Sequence, residues 1–154
     1  MLKRDLLRNI IIVTVFIAIL VGLRLFVYTP YRITKQDANS FLAENDLVLA
    51  DKTAKLVRGE FALYEVDGKE YVGRVIAMEN DKVTYMDNLL YLNDQVQSEQ
   101  YIEKMREKYL ASAASTGYYT HDFSIVDLKG ATSDTIPKNS FLILNDRREN
   151  TKDS

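Results

Sequence analysis

An uncharged apolar run near the amino terminus constrains this chain more than any other feature. Residues 10–23 read IIIVTVFIAILVGL, and extension through residue 28 brings the run to 19 residues. That length is close to the ~20 residues with which an α-helix crosses the hydrocarbon core of a bilayer. The run has no polar face apart from Thr14, whereas a buried helix of a soluble protein shows one. We therefore predict a transmembrane anchor over residues 10–28.

The charges that flank this run predict its orientation. Three basic residues and one acidic residue precede it, and basic residues beside a span remain in the cytoplasm. We predict a cytoplasmic tail over residues 1–9 and an extracellular domain over residues 29–154. A cleaved signal peptide is the alternative, but RLFVYTPYR, which follows the run, lacks the small-x-small site that cleavage requires.

Composition excludes several classes of function. The 20 basic residues are balanced by 22 acidic ones without a basic cluster, so no nucleic-acid partner is predicted. The chain has no cysteine and a single histidine, His121. This excludes disulfides, zinc–thiolate sites and thiol nucleophiles, and it leaves too few soft ligands for a transition-metal site. We expect no cofactor and no metal.

Beyond residue 28 the apolar residues alternate with polar ones, which indicates strands. A turn signal at Asp67-Gly68 predicts a hairpin over residues 61–78, and short β-rich runs follow at VTYM, LLYL, FSIVDL and FLIL. Residues 97–114 carry apolar side chains at helical spacing, with Ser98 as a candidate N-cap. We predict a mostly β fold, an antiparallel β domain with one inserted amphipathic helix.

The residues alone do not define a catalytic site. His121 lies in a predicted turn, which favours a surface role over a Ser-His-Asp triad. A serine–lysine pair needs a lysine that projects inward from a strand and is neutral near pH 7, and Lys52, Lys55 and Lys69 lie in turns or open polar segments. Acidic residues are too numerous for one carboxylate pair to be singled out.

Three segments nevertheless resemble the motifs of type I signal peptidases, which have one amino-terminal anchor and an exported β domain. The nucleophile motif of that family, S-M-x-P-T-L, is similar to DANSFL at residues 37–42. Its lysine motif, Y-V-K-R-V-I-G, is similar to YVGRVIA at residues 71–77, and its third motif, G-D-N-R-x-x-S-x-D-S, to NDRRENTKDS at residues 145–154. The resemblance covers nearly the whole chain in the same order, and it implies the fold of that family.

The resemblance places Asp37 where the family has its serine nucleophile and Gly73 where it has its lysine base. A carboxylate is a poor nucleophile toward an amide and glycine supplies no base, and loss of such a pair typically lowers turnover by ~10⁶. We therefore predict that the chain is a catalytically degenerate member and not an enzyme.

A peptidase with another mechanism is the alternative. An aspartic-protease arrangement requires a second carboxylate beside Asp37, and the third motif offers Asp146 or Asp153. The same motif brings Arg147 and Arg148, which we expect to tie these carboxylates into salt bridges.

The resemblance also implies a groove that holds an extended peptide. We predict that Asp37 lies at its floor and that Gly73 leaves space where the lysine stem lay, so that the groove prefers a basic or hydrogen-bond-donating peptide. A structural role, in which Asp37 caps a turn or pairs with an arginine, is the other interpretation. The predicted peptide-binding or site-supporting residues are Asp37, Ala38, Ser40, Gly73, Arg74, Asp146, Arg147, Arg148 and Asp153.

Aspartate and glycine at these two positions resemble the members of the family that are encoded in pilus gene clusters of Gram-positive bacteria. This resemblance implies a membrane-anchored, chaperone-like factor in pilus assembly, with pilin subunits and sortase as partners. Its candidate contact surfaces are the groove, the helix at residues 97–114 and the Tyr118-Tyr119 loop. A decoy that binds signal peptides without cutting them is a further hypothesis.

Overall fold

The structure, a computed structural model, describes residues 2–112, 115 and 117–148. These residues form two α-helices, two short 3-10 helices and nine short strands, joined by turns and loops. In chain order the elements are α1 (Leu2–Phe26), β1 (Tyr28–Arg32), β2 (Leu47–Asp51), β3 (Phe61–Val66), β4 (Lys69–Ala77), β5 (Val83–Met86), β6 (Leu89–Leu92), β7 (Gln95–Gln97), α2 (Glu103–Leu110), β8 (Phe123–Ser124) and β9 (Leu142–Leu144). All strand pairs are antiparallel, which confirms the predicted fold class.

The first of two compact units contains α1, β1 and β2. Within α1, the stretch Arg4–Phe26 has the length and composition to cross a membrane. We predicted that the span would extend to Tyr28, but Tyr28 begins β1, and the N–H of Lys52 donates to the carbonyl of Val27 at 2.8 Å. The backbone after Phe26 therefore pairs with β2 instead of continuing the helix, and the helix ends at Phe26.

The second unit contains the remaining strands in two sheets. Strands β3, β4 and β9 form the first sheet, and the predicted hairpin is confirmed, since Asp67 and Gly68 both have positive φ angles, 52° and 74°. Strand β9 pairs only with residues 74–77 of β4. Among the described strands, none pairs with residues 69–73 of β4 on that side.

The second sheet has the strand order β7-β6-β5-β8. Two-residue turns with positive φ angles, Asp87-Asn88 and Asn93-Asp94, join its consecutive strands. Its inner face supplies Val83, Tyr85, Leu90 and Leu92 to the larger apolar core, to which β4 and β9 of the first sheet also contribute. The FSIVDL run forms strand only at Phe123–Ser124, because the chain then turns into a 3-10 helix that Ser124 caps.

The inserted helix is shorter than predicted. Residues 95–97 pair with β6, so the chain is still extended where the sequence pattern predicted the helix to begin. A 3-10 turn over Gln100–Ile102 then leads into α2 at Glu103, and Ser98 is not its N-cap. The helix ends at Leu110; residues 113 and 114 of the predicted helix lie outside the described residues.

Candidate functional site

The fold brings Asp37 against strand β4, beside Gly73. Asp37 lies in a turn with Thr34, whose N–H donates to Oδ2 of the aspartate at 3.3 Å and whose hydroxyl donates to the same oxygen. The other carboxylate oxygen, Oδ1, accepts the N–H of Val72 at 3.0 Å. Asp37 is 0% exposed. The turn-capping role that we considered from the sequence is therefore confirmed, and the carboxylate also fastens this turn to β4.

Two side chains satisfy the main chain of Val72 on the side of β4 that β9 does not reach. Asp37 accepts its N–H, and Asn145 Nδ2 donates to its carbonyl oxygen at 3.2 Å. Asn145 is also fully buried. Its position holds glycine in the family motif, so this departure from the motif was the only sequence signal for the contact.

Gly73 does not leave an open space, which contradicts the prediction of a vacated lysine channel. A Cβ atom at position 73 would lie 2.8 Å from Ile143 Cγ2, 2.9 Å from the carbonyl oxygen of Leu144 and 3.0 Å from Tyr64 Cε1. Contacts that short require neighbouring atoms to move, and one of them is a backbone oxygen. Asp37 is bonded to Val72, the residue before Gly73. The space next to Gly73 is filled by its neighbours, so no open slot for a peptide lies there.

Arg74 and Asp146 form a buried, bidentate ion pair. Arg74 donates from Nε to Oδ1 at 2.9 Å and from Nη2 to Oδ2 at 2.7 Å. A third bond runs from its Nη1 to the carbonyl of Gly59 at 2.6 Å. The guanidinium lies 4.2 Å from the ring centroids of both Phe61 and Tyr101, within the range of a cation–π interaction. Both oxygens of Asp146 are thus engaged by Arg74, and not by an arginine of its own motif.

Arg148 pairs with Glu99 instead. Oε1 of Glu99 accepts hydrogen bonds from Arg148 Nη2 at 2.7 Å, from the Tyr85 hydroxyl at 2.9 Å and from the Tyr101 hydroxyl at 2.5 Å. Burial raises the pKa of both tyrosines well above the ordinary value, so both remain protonated donors at neutral pH. The sequence did not indicate Glu99, since nothing distinguishes it from the other acidic residues.

The remaining predicted site residues that the structure describes take part neither in the contact between Asp37 and β4 nor in the two buried ion pairs. Ala38 is half-buried in the turn that follows Thr34. Ser40 is exposed, in a turn organised by Asn39, whose Oδ1 accepts the N–H groups of the two residues after Ser40. The N–H of Arg147 donates to the Asn145 side chain at 2.8 Å, and Asp153 lies outside the described residues. In the described ranges, no cluster of acidic or histidine side chains could hold a metal ion.

Replacing Asp37 with alanine is expected to lower the free energy of unfolding by about 3 kcal/mol, because it leaves the buried N–H of Val72 without an acceptor and removes the two bonds from Thr34. Asp37→Asn keeps an oxygen acceptor and should lose less. We would measure urea unfolding of the full chain in detergent micelles by near-ultraviolet circular dichroism.

The matched control is Asp127→Ala. Asp127 caps a turn in the same way, through the N–H and hydroxyl of Ser124, but it is exposed. We expect a smaller loss there. Equal losses at Asp37 and Asp127 would show that the buried bond to Val72 contributes little.

Comparisons with known proteins agree with this fold. A family model described as "Signal peptidase, peptidase S26" matches residues 6–154. Signal peptidase IB of Staphylococcus aureus is 33% identical over 160 aligned positions, which cover 99% of this chain and 81% of the relative. Signal peptidase I of Bacillus caldolyticus is 27% identical and covers 91% of the chain and 76% of the relative. The crystal structure of a signal peptidase I from Enterococcus faecalis aligns with a TM-score of 0.56 at 27% identity, over 66% of this chain and 85% of that one.

These comparisons correct one prediction. From Asp37 and Gly73 we predicted a protein that is not an enzyme, but the relatives that match along nearly the whole chain are named as peptidases. The substitutions at two motif positions therefore do not justify the conclusion that activity is absent.

Proposed function

Since the chain belongs to the signal peptidase family, peptidase S26, we propose that it acts on the signal peptides of exported proteins at the outer surface of the cell membrane. The observation that carries this proposal is the 33% identity to a signal peptidase over 99% of the chain. Helix α1 would be the single-pass anchor, with its amino terminus in the cytoplasm and the β domain outside. Residues of the first and third motifs contact β4, the strand that carries the second motif, and this arrangement supports a shared site for signal peptides.

The first half of β4 is the proposed place for the peptide. Because Tyr71 and Gly73 pair with β3, the main-chain groups of Val72 face the side where none of the described strands is a neighbour. An extended peptide adds to a sheet through such groups. Asp37 and Asn145 occupy those of Val72, so the peptide would pair there by displacing one or both of these side chains.

Asp37 does not supply the catalytic group in this conformation. Its carboxylate is fully buried and bonded to the main chain of β4, whereas a nucleophile or general base has to reach the scissile bond. Peptide cleavage, the activity for which the relatives are named, would thus use other groups, and Ser40, three residues after Asp37, carries an exposed hydroxyl that is not bonded to Asp37.

The test uses the full chain in proteoliposomes with two forms of one exported protein, its precursor and its mature form without the signal peptide. We expect the precursor to bind at least about tenfold more tightly, since extended pairing requires the signal peptide. Equal affinity for both forms would refute the proposal. Mass spectrometry of the incubated precursor identifies any bond that is cut, and Ser40→Ala tests whether that hydroxyl is required.

We further propose that pilin subunits are the exported proteins concerned and that sortase is a second partner. The support is the resemblance of the Asp37 and Gly73 pattern to the members of the family encoded in pilus gene clusters. Co-purification of the full chain with a pilin precursor, compared with an unrelated precursor of equal hydrophobicity, tests this choice. Equal recovery of both precursors would contradict it without affecting the broader proposal.

A further inference from the structure

Strand β7 is the edge of the four-stranded sheet, and its outer side has no neighbour among the described strands. The turn Asn93-Asp94 closes the β6–β7 hairpin, so Leu92 and Gln95 form the first hydrogen-bonded pair of that ladder. Hydrogen-bonded and non-hydrogen-bonded pairs alternate along an antiparallel ladder. The N–H and C=O of Val96 therefore point away from β6, toward the open edge.

Apart from its length of three residues, this edge lacks the features that normally prevent strands from pairing with other molecules. Exposed edges are commonly protected by a charge, a proline or a bulge, but β7 reads Gln95-Val96-Gln97, is uncharged, and is exposed at all three residues. Val96 is 57% exposed, and Met86 and Leu89 on the same sheet face are 47% and 41% exposed. An edge of this kind favours addition of a further strand.

The edge is also complementary to itself. In an antiparallel pairing of two β7 strands centred on Val96, valine faces valine and each glutamine faces the other glutamine, whose amides both donate and accept. The three paired residues carry no charge, so no like charges oppose each other along the paired strands. These matches favour a second copy over an unrelated peptide as the occupant.

We propose that two copies of this chain pair through β7, antiparallel about a two-fold axis at Val96. The contact joins two four-stranded sheets into one of eight strands. It is small compared with the area that a stable dimer buries. Pairing is therefore expected to depend on the concentration of the chain in the membrane.

A single cysteine tests this arrangement, because the chain has no cysteine of its own. Hydrogen-bonded antiparallel partners have Cα atoms about 5.5 Å apart, within the range that a disulfide spans. Val96→Cys in the full chain, reconstituted in liposomes and oxidised with copper phenanthroline, should give a covalent dimer. Val126→Cys is the control, since Val126 is a valine of similar exposure, 59%, outside the edge. We expect about tenfold more dimer from Val96→Cys, and equal yields would overturn the proposal.

A second measurement does not depend on disulfide geometry. Energy transfer between separately labelled full-length chains in liposomes should fall when Val96 is replaced by lysine, which places like charges opposite each other across the axis. Val126→Lys should leave the energy transfer unchanged. If both lysine variants retain the wild-type signal, β7 is not the interface.

Discussion

Replacement of Asp146 by alanine is expected to lower the free energy of unfolding by about 3–5 kcal/mol, as for other buried ion pairs that lose one partner. The Asp146 side chain is 0% exposed and that of Arg74 is 9% exposed. Once the carboxylate is removed, Arg74 keeps its bond to the carbonyl of Gly59, but two of its donors lose their acceptors in a largely buried site. The rings of Phe61 and Tyr101 lie against the guanidinium and limit its access to the water that could replace the carboxylate.

The matched control applies the same substitution to an exposed pair. Lys82 Nζ lies 3.0 Å from Asp94 Oδ1, but the Asp94 side chain is 77% exposed. Water replaces the lost partner there, so Asp94→Ala should lose only about 1 kcal/mol, most of it because alanine disfavours the positive φ angle of this turn residue. If the two aspartate variants lose similar stability, burial does not determine the strength of the Arg74–Asp146 pair.

A double variant separates the pair from the packing around it. Arg74→Met preserves much of the side-chain volume between the rings and removes the charge. Combined with Asp146→Ala, it leaves neither an unpaired cation nor an unpaired anion. The double variant should therefore lose less stability than the sum of the two single variants, by about 1–3 kcal/mol for residues in one network. Additive losses would argue against a direct interaction.

Local signals in the sequence predicted the parts of the fold that local interactions determine. The Asp67-Gly68 hairpin follows from residues that adopt positive φ angles, and α1 follows from an uninterrupted apolar run. The start of the inserted helix could not be predicted in this way. Residues 95–97 are held extended by pairing with β6, which overrides their helical spacing.

The candidate site shows the same limit more sharply. The motif resemblance placed Asp37 near Gly73, and in the structure Asp37 is bonded to Val72, the residue before Gly73. It could not indicate that Tyr64 and Ile143 fill the space next to Gly73, since both come from neighbouring strands. Likewise, Arg148 pairs with Glu99, 49 residues away in sequence, and a pairing over that distance leaves no periodic trace.

Restoring the family's lysine through Gly73→Lys is expected to destabilise the chain by about 3 kcal/mol or more, since overpacking a core costs 1–3 kcal/mol and a buried ammonium adds to it. The Cβ alone meets Ile143, Tyr64 and the backbone oxygen of Leu144 within 3.0 Å. Gly73→Ala should show the steric part of this loss without the charge. The double variant Asp37→Ser, Gly73→Lys, which recreates the pair of the family motif, should be no more stable than Gly73→Lys. Urea unfolding of the full chain in micelles measures each step.

Two comparisons decide whether the steric cause is right. Ile143→Ala removes the nearest of the three atoms, so Gly73→Ala should cost less in that background than in the wild-type chain. Glu65→Lys, on the exposed face of β3, introduces a lysine into the same sheet and should change stability by less than about 0.5 kcal/mol. A Gly73→Lys variant as stable as Glu65→Lys would mean that strands β3 and β9 separate readily at this point, and that the site has room for the side chain its relatives carry.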